Sequence, residues 1–440
     1  MHPKAGLGVY YFSDTQHYHT QARERWLREV SSLGVAWLIL DNPGLIAIPE
    51  PFLQAALESG LTPIVRIVGI PAEPRFIAEL EPVIRSYALW GVQYIQLFDR
   101  PNTQTFWGKV SWTSGNPVER FIDLFLPYAE ILVKYNIYPI FPTPEVARGF
   151  WDTSFLRLAL ESLVRRGHQW LIETLILSAY LAIYDPSRPL NWGAGGPERW
   201  PNTQPYQESS HSQDQRGLYI ADWYEALAQA TLGRALPIVL LDDPCTPPRY
   251  LSQSEVHQRM LCAIRRLFDE RSGEDIEIEG HIYEPFHPSV LCLGFYGLPC
   301  QPNRGDPRAW FLPNGQPLPI VEAIRRLQKK PEEPKSARKH TLPHALLLPR
   351  MAVIQLHQVL EKLKPFLLRY QPLIVFSLEE AAQAEHVWYV EGLSWPTSAE
   401  VEELEGCSCL LHPLRLDGTE LAPNRSDSSS EALWTRPTSL

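Results

Sequence analysis

The strongest constraint on this chain is a rhythm. Short, β-rich apolar runs alternate with amphipathic helical stretches from residue 8 to residue 327. Such alternation marks a parallel sheet whose strands are joined by crossover helices. Strands are expected at 8–12, 35–40, 63–68, 92–98, 138–141, 170–177, 237–241 and 290–295. Helices are expected between them. In the first, 21–33, the residues Trp26, Leu27 and Val30 share one face. The others are 52–59 (stopped by Gly60), 75–89, 118–135 (kinked near Pro127), 155–166, 218–232, 252–269 and 320–327. Eight such units predict a (β/α)8 barrel, a TIM barrel with loop insertions. An open doubly wound sheet would need a glycine-rich phosphate turn after an early strand. Gly6-Leu7-Gly8 precedes its strand and Gly193-Ala194-Gly195-Gly196 falls in a loop, so that alternative fits less well.

The barrel domain is placed at 1–328. The charged, proline-containing stretch KKPEEPKSARKH then has linker composition, and the linker is drawn over 329–345. Residues 346–420 read as a small α/β module, with a helix at 355–369, strands at 373–376 and 387–390, and a short helix at 399–405. The Ser/Asp-rich tail, 421–440, is expected to be disordered.

A formal net charge of -10 argues against nucleic acid as a partner, because phosphate binding needs a basic face. No run approaches the ~20 apolar residues of a membrane span. The first residues lack the basic and apolar regions of a signal peptide, so a cytoplasmic location is expected, with secretion left open. The cysteines, Cys245, Cys262, Cys292, Cys300, Cys407 and Cys409, make no C-x-x-C pair and read as free thiols. No P-loop, His-Glu-x-x-His or Ser-His-Asp pattern occurs, so neither cofactor nor metal is expected. His17 and His19 read as surface residues.

Active sites of such barrels form at the C-terminal ends of the strands. The residues there are Ser13 and Asp14, Asp41, Arg66, Asp99 to Asn102, Glu145, Tyr180 and Tyr184, Asp242 and Asp243, and Tyr296. The long loops add Trp107, Trp112, Trp151, Trp192, Trp200 and Trp310. Carboxylates, an arginine and tryptophans on one rim suit a sugar site, where indoles stack on sugar faces and carboxyls do acid–base or nucleophilic work. A single rim aspartate can equally be a helix cap. The expected substrate-binding set is Asp14, Asp41, Arg66, Asn102, Trp107, Tyr180, Trp192, Trp200 and Trp310. Glu173 within the sixth strand and a short hairpin over the rim at 281–287 are further candidates.

Three segments carry a family resemblance. Gln96-Leu97-Phe98-Asp99-Arg100-Pro101-Asn102 resembles the post-strand-four segment of cellulase-like (clan A type) glycoside hydrolases, where Asn-Glu-Pro carries the acid/base glutamate. Pro237-Ile238-Val239-Leu240-Leu241-Asp242-Asp243 is similar to the run ending in their nucleophilic glutamate. Ala309-Trp310-Phe311-Leu312-Pro313-Asn314-Gly315-Gln316-Pro317 is similar to their last strand–helix connection. The resemblance implies a sugar-processing barrel with catalytic candidates Asp99, Asp242 and Asp243. The catalytic positions are degenerate, however. Arg100 stands where the acid belongs, and arginine does not give up its proton. The strand-seven aspartates are one methylene shorter than glutamate. Three readings stay open: a carbohydrate-binding pseudoenzyme, a glycosidase with relocated carboxylates (Asp99 with Asp242, or Glu145 or Glu173 as acid), and a non-catalytic interaction scaffold.

Overall fold

A computed structural model describes residues 5–42, 44–70, 73–107, 115–146, 150–200, 217–243, 248, 250–269, 275–278, 280–298, 306–328, 342–349, 351–381, 383–390, 393 and 410–417. The chain divides into two compact units, Met1–Lys329 and Lys330–Leu440.

The first unit is built on strands β1 (Gly6–Tyr10), β2 (Val35–Asn42), β3 (Thr62–Ile67), β4 (Tyr94–Leu97), β5 (Tyr138–Ile140), β6 (Leu177–Leu181), β7 (Ile238–Asp242) and β10 (Val290–Phe295). They hydrogen-bond in the order β5-β4-β3-β2-β1-β10-β7-β6, every pair parallel. The two ends meet through a parallel bridge between Ile140 and Ile176. There Phe141 N donates to Ile176 O (2.7 Å) and Ile176 N to Pro139 O (3.0 Å). The sheet therefore closes into the eight-stranded barrel that the alternation predicts. A two-stranded antiparallel hairpin, β8 (Ile276–Ile278) with β9 (His281–Tyr283), precedes the last barrel strand.

Side chains alternate across each strand, and this sorts the residues. One buried cluster fills the barrel interior, with Tyr10, Trp37, Ile39, Ile64, Tyr94, Ile140, Tyr180, Val239, Leu241 and Cys292. The opposite parity packs against the helices in a larger cluster. Glycine is required where β1 meets β10, since Gly8 and Gly294 are register partners. A Cβ on Gly8 would lie 2.5 Å from Cys292 Sγ, and one on Gly294 would lie 2.8 Å from Ile39 Cδ1. Towards the C-terminal end of the barrel the interior turns polar, with Arg66, Gln96, Thr143 and Ser178 all buried.

The helices begin where local chemistry dictates. The Asn116 side chain accepts from Val118 N at 3.0 Å, with Pro117 opening helix Pro117–Lys134. Ser252 and Glu255 form a capping box for helix Gln253–Phe268. One expectation is corrected. Residues 169–172 form a short helix and β6 starts only at Leu177. The apolar run 170–177 spans a helical turn and the strand entry, which periodicity cannot separate in so short a segment.

The second unit is a four-stranded parallel sheet of β11 (Leu342–Leu347), β12 (Leu373–Val375), β13 (Ala384–Val390) and β14 (Leu410–Leu414), in the order β12-β11-β13-β14. Linker composition thus ends before Leu342. The helical stretch expected at 355–369 is two helices, Val353–Lys362 and Lys364–Tyr370. Apolar clusters cover both sheet faces, as in doubly wound sheets. The expected helix at 399–405 and the tail 421–440 lie outside the described residues. Among the described residues no helix is long and apolar enough to cross a membrane, and no group of His, Cys, Asp and Glu is placed to hold a metal ion.

Candidate functional site

The polar end of the barrel is organised by the turn after β4. Phe98 and Arg100 both adopt left-handed backbone, with φ of 69° and 51°, a conformation that costs a non-glycine residue about 1–2 kcal/mol. The turn at Phe98 sends its ring outward against Phe106 and Tyr128. Asp99 reaches inward instead, where its Oδ1 accepts from Tyr180 Oη at 2.6 Å and lies 3.4 Å from Arg66 Nη2. Arg100 N donates to Thr143 O at 3.0 Å, and Thr103 Oγ1 donates to Arg100 O at 2.8 Å. The strained turn is therefore pinned on both sides.

Arg100 is the hub of the mouth. Its Nη1 donates to Glu145, after β5, and its Nη2 donates to Asp243, after β7. Its Nε lies 3.3 Å from Asp99 Oδ2, and the guanidinium sits 4.9 Å from the Tyr180 ring centroid. Burial disfavours its charge, but Tyr180, Asp243, Asp99 and Glu145 outweigh that and hold its pKa above the usual arginine value. Arg100, Asp99, Glu145 and Asp243 each keep 15–19% of their side-chain surface exposed, so this cluster faces the opening.

Below it, Arg66 is buried inside the barrel at 1% exposure. Its Nη1 donates to Asp41 Oδ1 at 2.9 Å and to Tyr10 Oη at 3.2 Å. Burial raises the Asp41 pKa and Arg66 opposes the rise. To one side lies an arginine that sequence reasoning missed. Arg308, 1% exposed, is held bidentately by Asp306 at 2.9 and 2.7 Å. It donates to Asp243 O and lies 3.5 Å from Asp242 Oδ1. The only available signal was the Asp306-Pro307-Arg308 triplet beside the closing segment. Asp242 Oδ2 accepts from Tyr184 Oη (3.0 Å) and Tyr296 N (3.2 Å). Burial pushes the Asp242 pKa up to about 6, against the pull of Arg308 and these two donors.

The mouth thus gathers Asp41, Arg66, Asp99, Tyr180, Asp242 and Asp243 from the expected set. Other expected residues are placed elsewhere. Asn102 is buried and structural. It accepts from Glu145 N at 2.7 Å and donates to Glu145 O (2.8 Å) and Phe150 O (2.6 Å). Trp107 is 5% exposed and donates to Pro101 O at 3.1 Å. Trp310 is fully buried, with Gly297 against its ring. These indoles fill the packing under the loops and offer no face to a ligand. Glu173 is exposed at the N-terminal end of β6, opposite the mouth, which removes it as an acid. Asp14 is 47% exposed, and its carboxylate pairs with His17 at 2.8 Å. Trp192 and Trp200 are half-buried and pack together on the barrel flank, with ring centroids 4.7 Å apart. The hairpin expected over the rim at 281–287 does not form there: only 281–283 are a strand, β9, which pairs back with β8 (Ile276–Ile278), and this β8–β9 hairpin meets that flank, where Asn191 Nδ2 donates to Ile282 O at 3.0 Å. Trp112 lies outside the described residues.

No family model matches this chain, and no curated protein matches it. Among solved structures it overlays on a monomeric β-xylosidase from Caulobacter crescentus CB15, at 11% identity and a TM-score of 0.45, covering 75% of this chain and 69% of that one. It overlays on a GH128 endo-β-1,3-glucanase from Sorangium cellulosum at 10% identity and a TM-score of 0.40, covering 73% and 98%. A GH5_18 protein from Bifidobacterium longum subsp. longum ATCC 55813 overlays at 14% identity and a TM-score of 0.41, covering 98% and 99%. At such identity and overlap the likeness assigns neither a family, an activity nor a residue to this chain.

Proposed function

We propose that the barrel binds carbohydrate at the C-terminal face of its strands and does not cleave glycosidic bonds there. One observation carries this reading: the Arg100 guanidinium bridges Glu145 and Asp243. Glycoside hydrolysis needs two carboxyls flanking the scissile bond, one of them delivering a proton. Here the space between the carboxyls is filled by a cation that stays protonated. The neighbouring aspartate, Asp242, is buried beneath Tyr184 and Tyr296. The partly exposed carboxylates and Arg100 still offer acceptors and donors to sugar hydroxyls.

A second reading has its own support. Carboxyls that flank one guanidinium would flank a sugar bond if Arg100 swung aside. Assays of purified protein on aryl-glycosides and polysaccharides, beside an Asp242→Asn/Asp243→Asn double variant, separate the two. The expected result is no turnover by either protein, with glycan binding that weakens in Arg100→Ala. Turnover by the wild type that vanishes in the double variant would establish relocated carboxylates. An absence of binding across a broad glycan panel would leave the barrel as an interaction scaffold.

A further inference from the structure

The loop that follows β6 builds a second concavity away from the mouth. A cavity of about 420 Å³ is lined by Trp192, Trp200, Arg199, Asp275, Ile282 and Glu284, among others. None of these residues belongs to the Arg100 cluster. The volume lies at the small end of the ~300–1,000 Å³ range of small-molecule sites.

Both walls are fixed. On one side, Gly195 and Gly196 adopt positive φ (81° and 60°), which lets the loop lie on the first turn of helix Ile220–Leu232. Gly195 N donates to Asp222 at 2.8 Å, and Trp223 Nε1 donates to Gly193 O at 3.0 Å. Trp200 Nε1 is satisfied by Ala194 O at 3.0 Å, which orients its ring. On the other side stands the β8–β9 hairpin, tied to the loop by the Asn191–Ile282 hydrogen bond and by an ion pair between Arg199 and Glu284. Ile282 is 59% exposed on this wall. A site whose walls are held before binding spares a ligand the cost of ordering them.

The lining chemistry selects the ligand class. Two tilted indoles, 4.7 Å apart at their centroids, give an apolar platform. Asn191, Asp275 and the Arg199–Glu284 pair give hydrogen-bonding groups around it. The ion pair cancels its own charge, and Arg188 already lies 5.6 Å from the Trp192 ring centroid. A cationic ligand would therefore meet a ring that a guanidinium already attends, whereas a neutral polyol with apolar faces fits. We infer that this flank pocket, made by Trp192, Trp200 and the β8–β9 hairpin, is a second carbohydrate site, sized for a mono- or disaccharide unit of a longer glycan. Its ligand class rests on the carbohydrate reading of the mouth; its location does not.

The test titrates the full chain with short β-linked gluco-, xylo- and manno-oligosaccharides, followed by calorimetry and tryptophan fluorescence. Two variants address the pocket. Trp192→Ala removes a platform, and Ile282→Arg places bulk and charge over the cavity from an exposed position that the fold tolerates. Arg100→Ala addresses the mouth. The expected result is an indole fluorescence change, read from Trp192 and Trp200 in the pocket, whose affinity falls about tenfold or more in both pocket variants and holds in Arg100→Ala, while the separate calorimetric binding at the mouth weakens in Arg100→Ala alone. Binding that is lost in Arg100→Ala yet unchanged in both pocket variants overturns the flank site and leaves the mouth reading standing. A wild type that binds none of the sugars overturns both.

Discussion

Asp242 is a carboxyl with almost no exposed surface, and its environment makes a signed prediction. Its pKa rises from the ordinary aspartate range to about 6 because burial penalises the anion more than Arg308, Tyr184 and Tyr296 stabilise it. Between pH 4 and pH 6 the folded chain thus holds a proton that the unfolded chain has released. Stability is therefore lost as pH rises through that window, by an amount on the order of a few kcal/mol. Asp242→Asn cannot release the proton. Thermal melts from pH 4 to pH 7 should show the stability difference, wild type minus variant, shrinking as pH rises. A difference constant across that range would contradict the assignment. Asp222, also raised to about 6 by burial, contributes a slope of the same sign to both proteins and cancels in the comparison. Arg100 makes the complementary point. Its substitution should disturb Glu145 and Asp243 together, since one guanidinium holds both.

At the level of elements, the seam between β1 and β10 depends on two facing glycines. Gly8→Ala drives a methyl to within 2.5 Å of Cys292 Sγ and 3.0 Å of Ile39 Cδ1. Overpacking of this kind costs about 1–3 kcal/mol. Adding Cys292→Ala removes the closest obstacle, so the double variant should recover part of the loss in a denaturant melt. Additive losses in the double variant would mean that the strain lies elsewhere, because contacting residues are expected to couple. The turn after β4 follows the opposite logic. Its two left-handed residues are tolerated because the Tyr180, Thr143 and Arg66 contacts fix them, and backbone strain of this kind gathers at functional sites.

At the level of the whole molecule, the barrel closes upon itself. β1 pairs with the last strand and β5 meets the entry to β6, and every described strand of the second unit pairs within its own sheet. A chain ending at Lys329 should therefore unfold cooperatively and keep the glycan binding of the full chain. Calorimetric melting and the titrations above measure both. Loss of cooperative unfolding on truncation would show that the barrel needs residues 330–440 to stand.

Periodicity alone determined the eight-strand barrel and the polar composition of its rim, because the 3.6-residue and two-residue repeats are local and survive in the one-dimensional chain. The resemblance of 96–102 to the segment after strand four of cellulase-like glycoside hydrolases, not periodicity, singled out Arg100 as a cation at the position of their acid. The short apolar run 170–177 and the strand at 342–347 escaped periodicity, since buried parallel strands and helical turns look alike over so few residues. Tertiary structure decided what the rim residues touch. Trp107 and Trp310 became packing and Trp192 and Trp200 became a wall, a distinction of burial that residue type does not carry. Asp99 turns inward because of the left-handed backbone at Phe98. Arg100 bridges carboxylates 45 and 143 residues away in sequence, a meeting that only closure of the barrel produces.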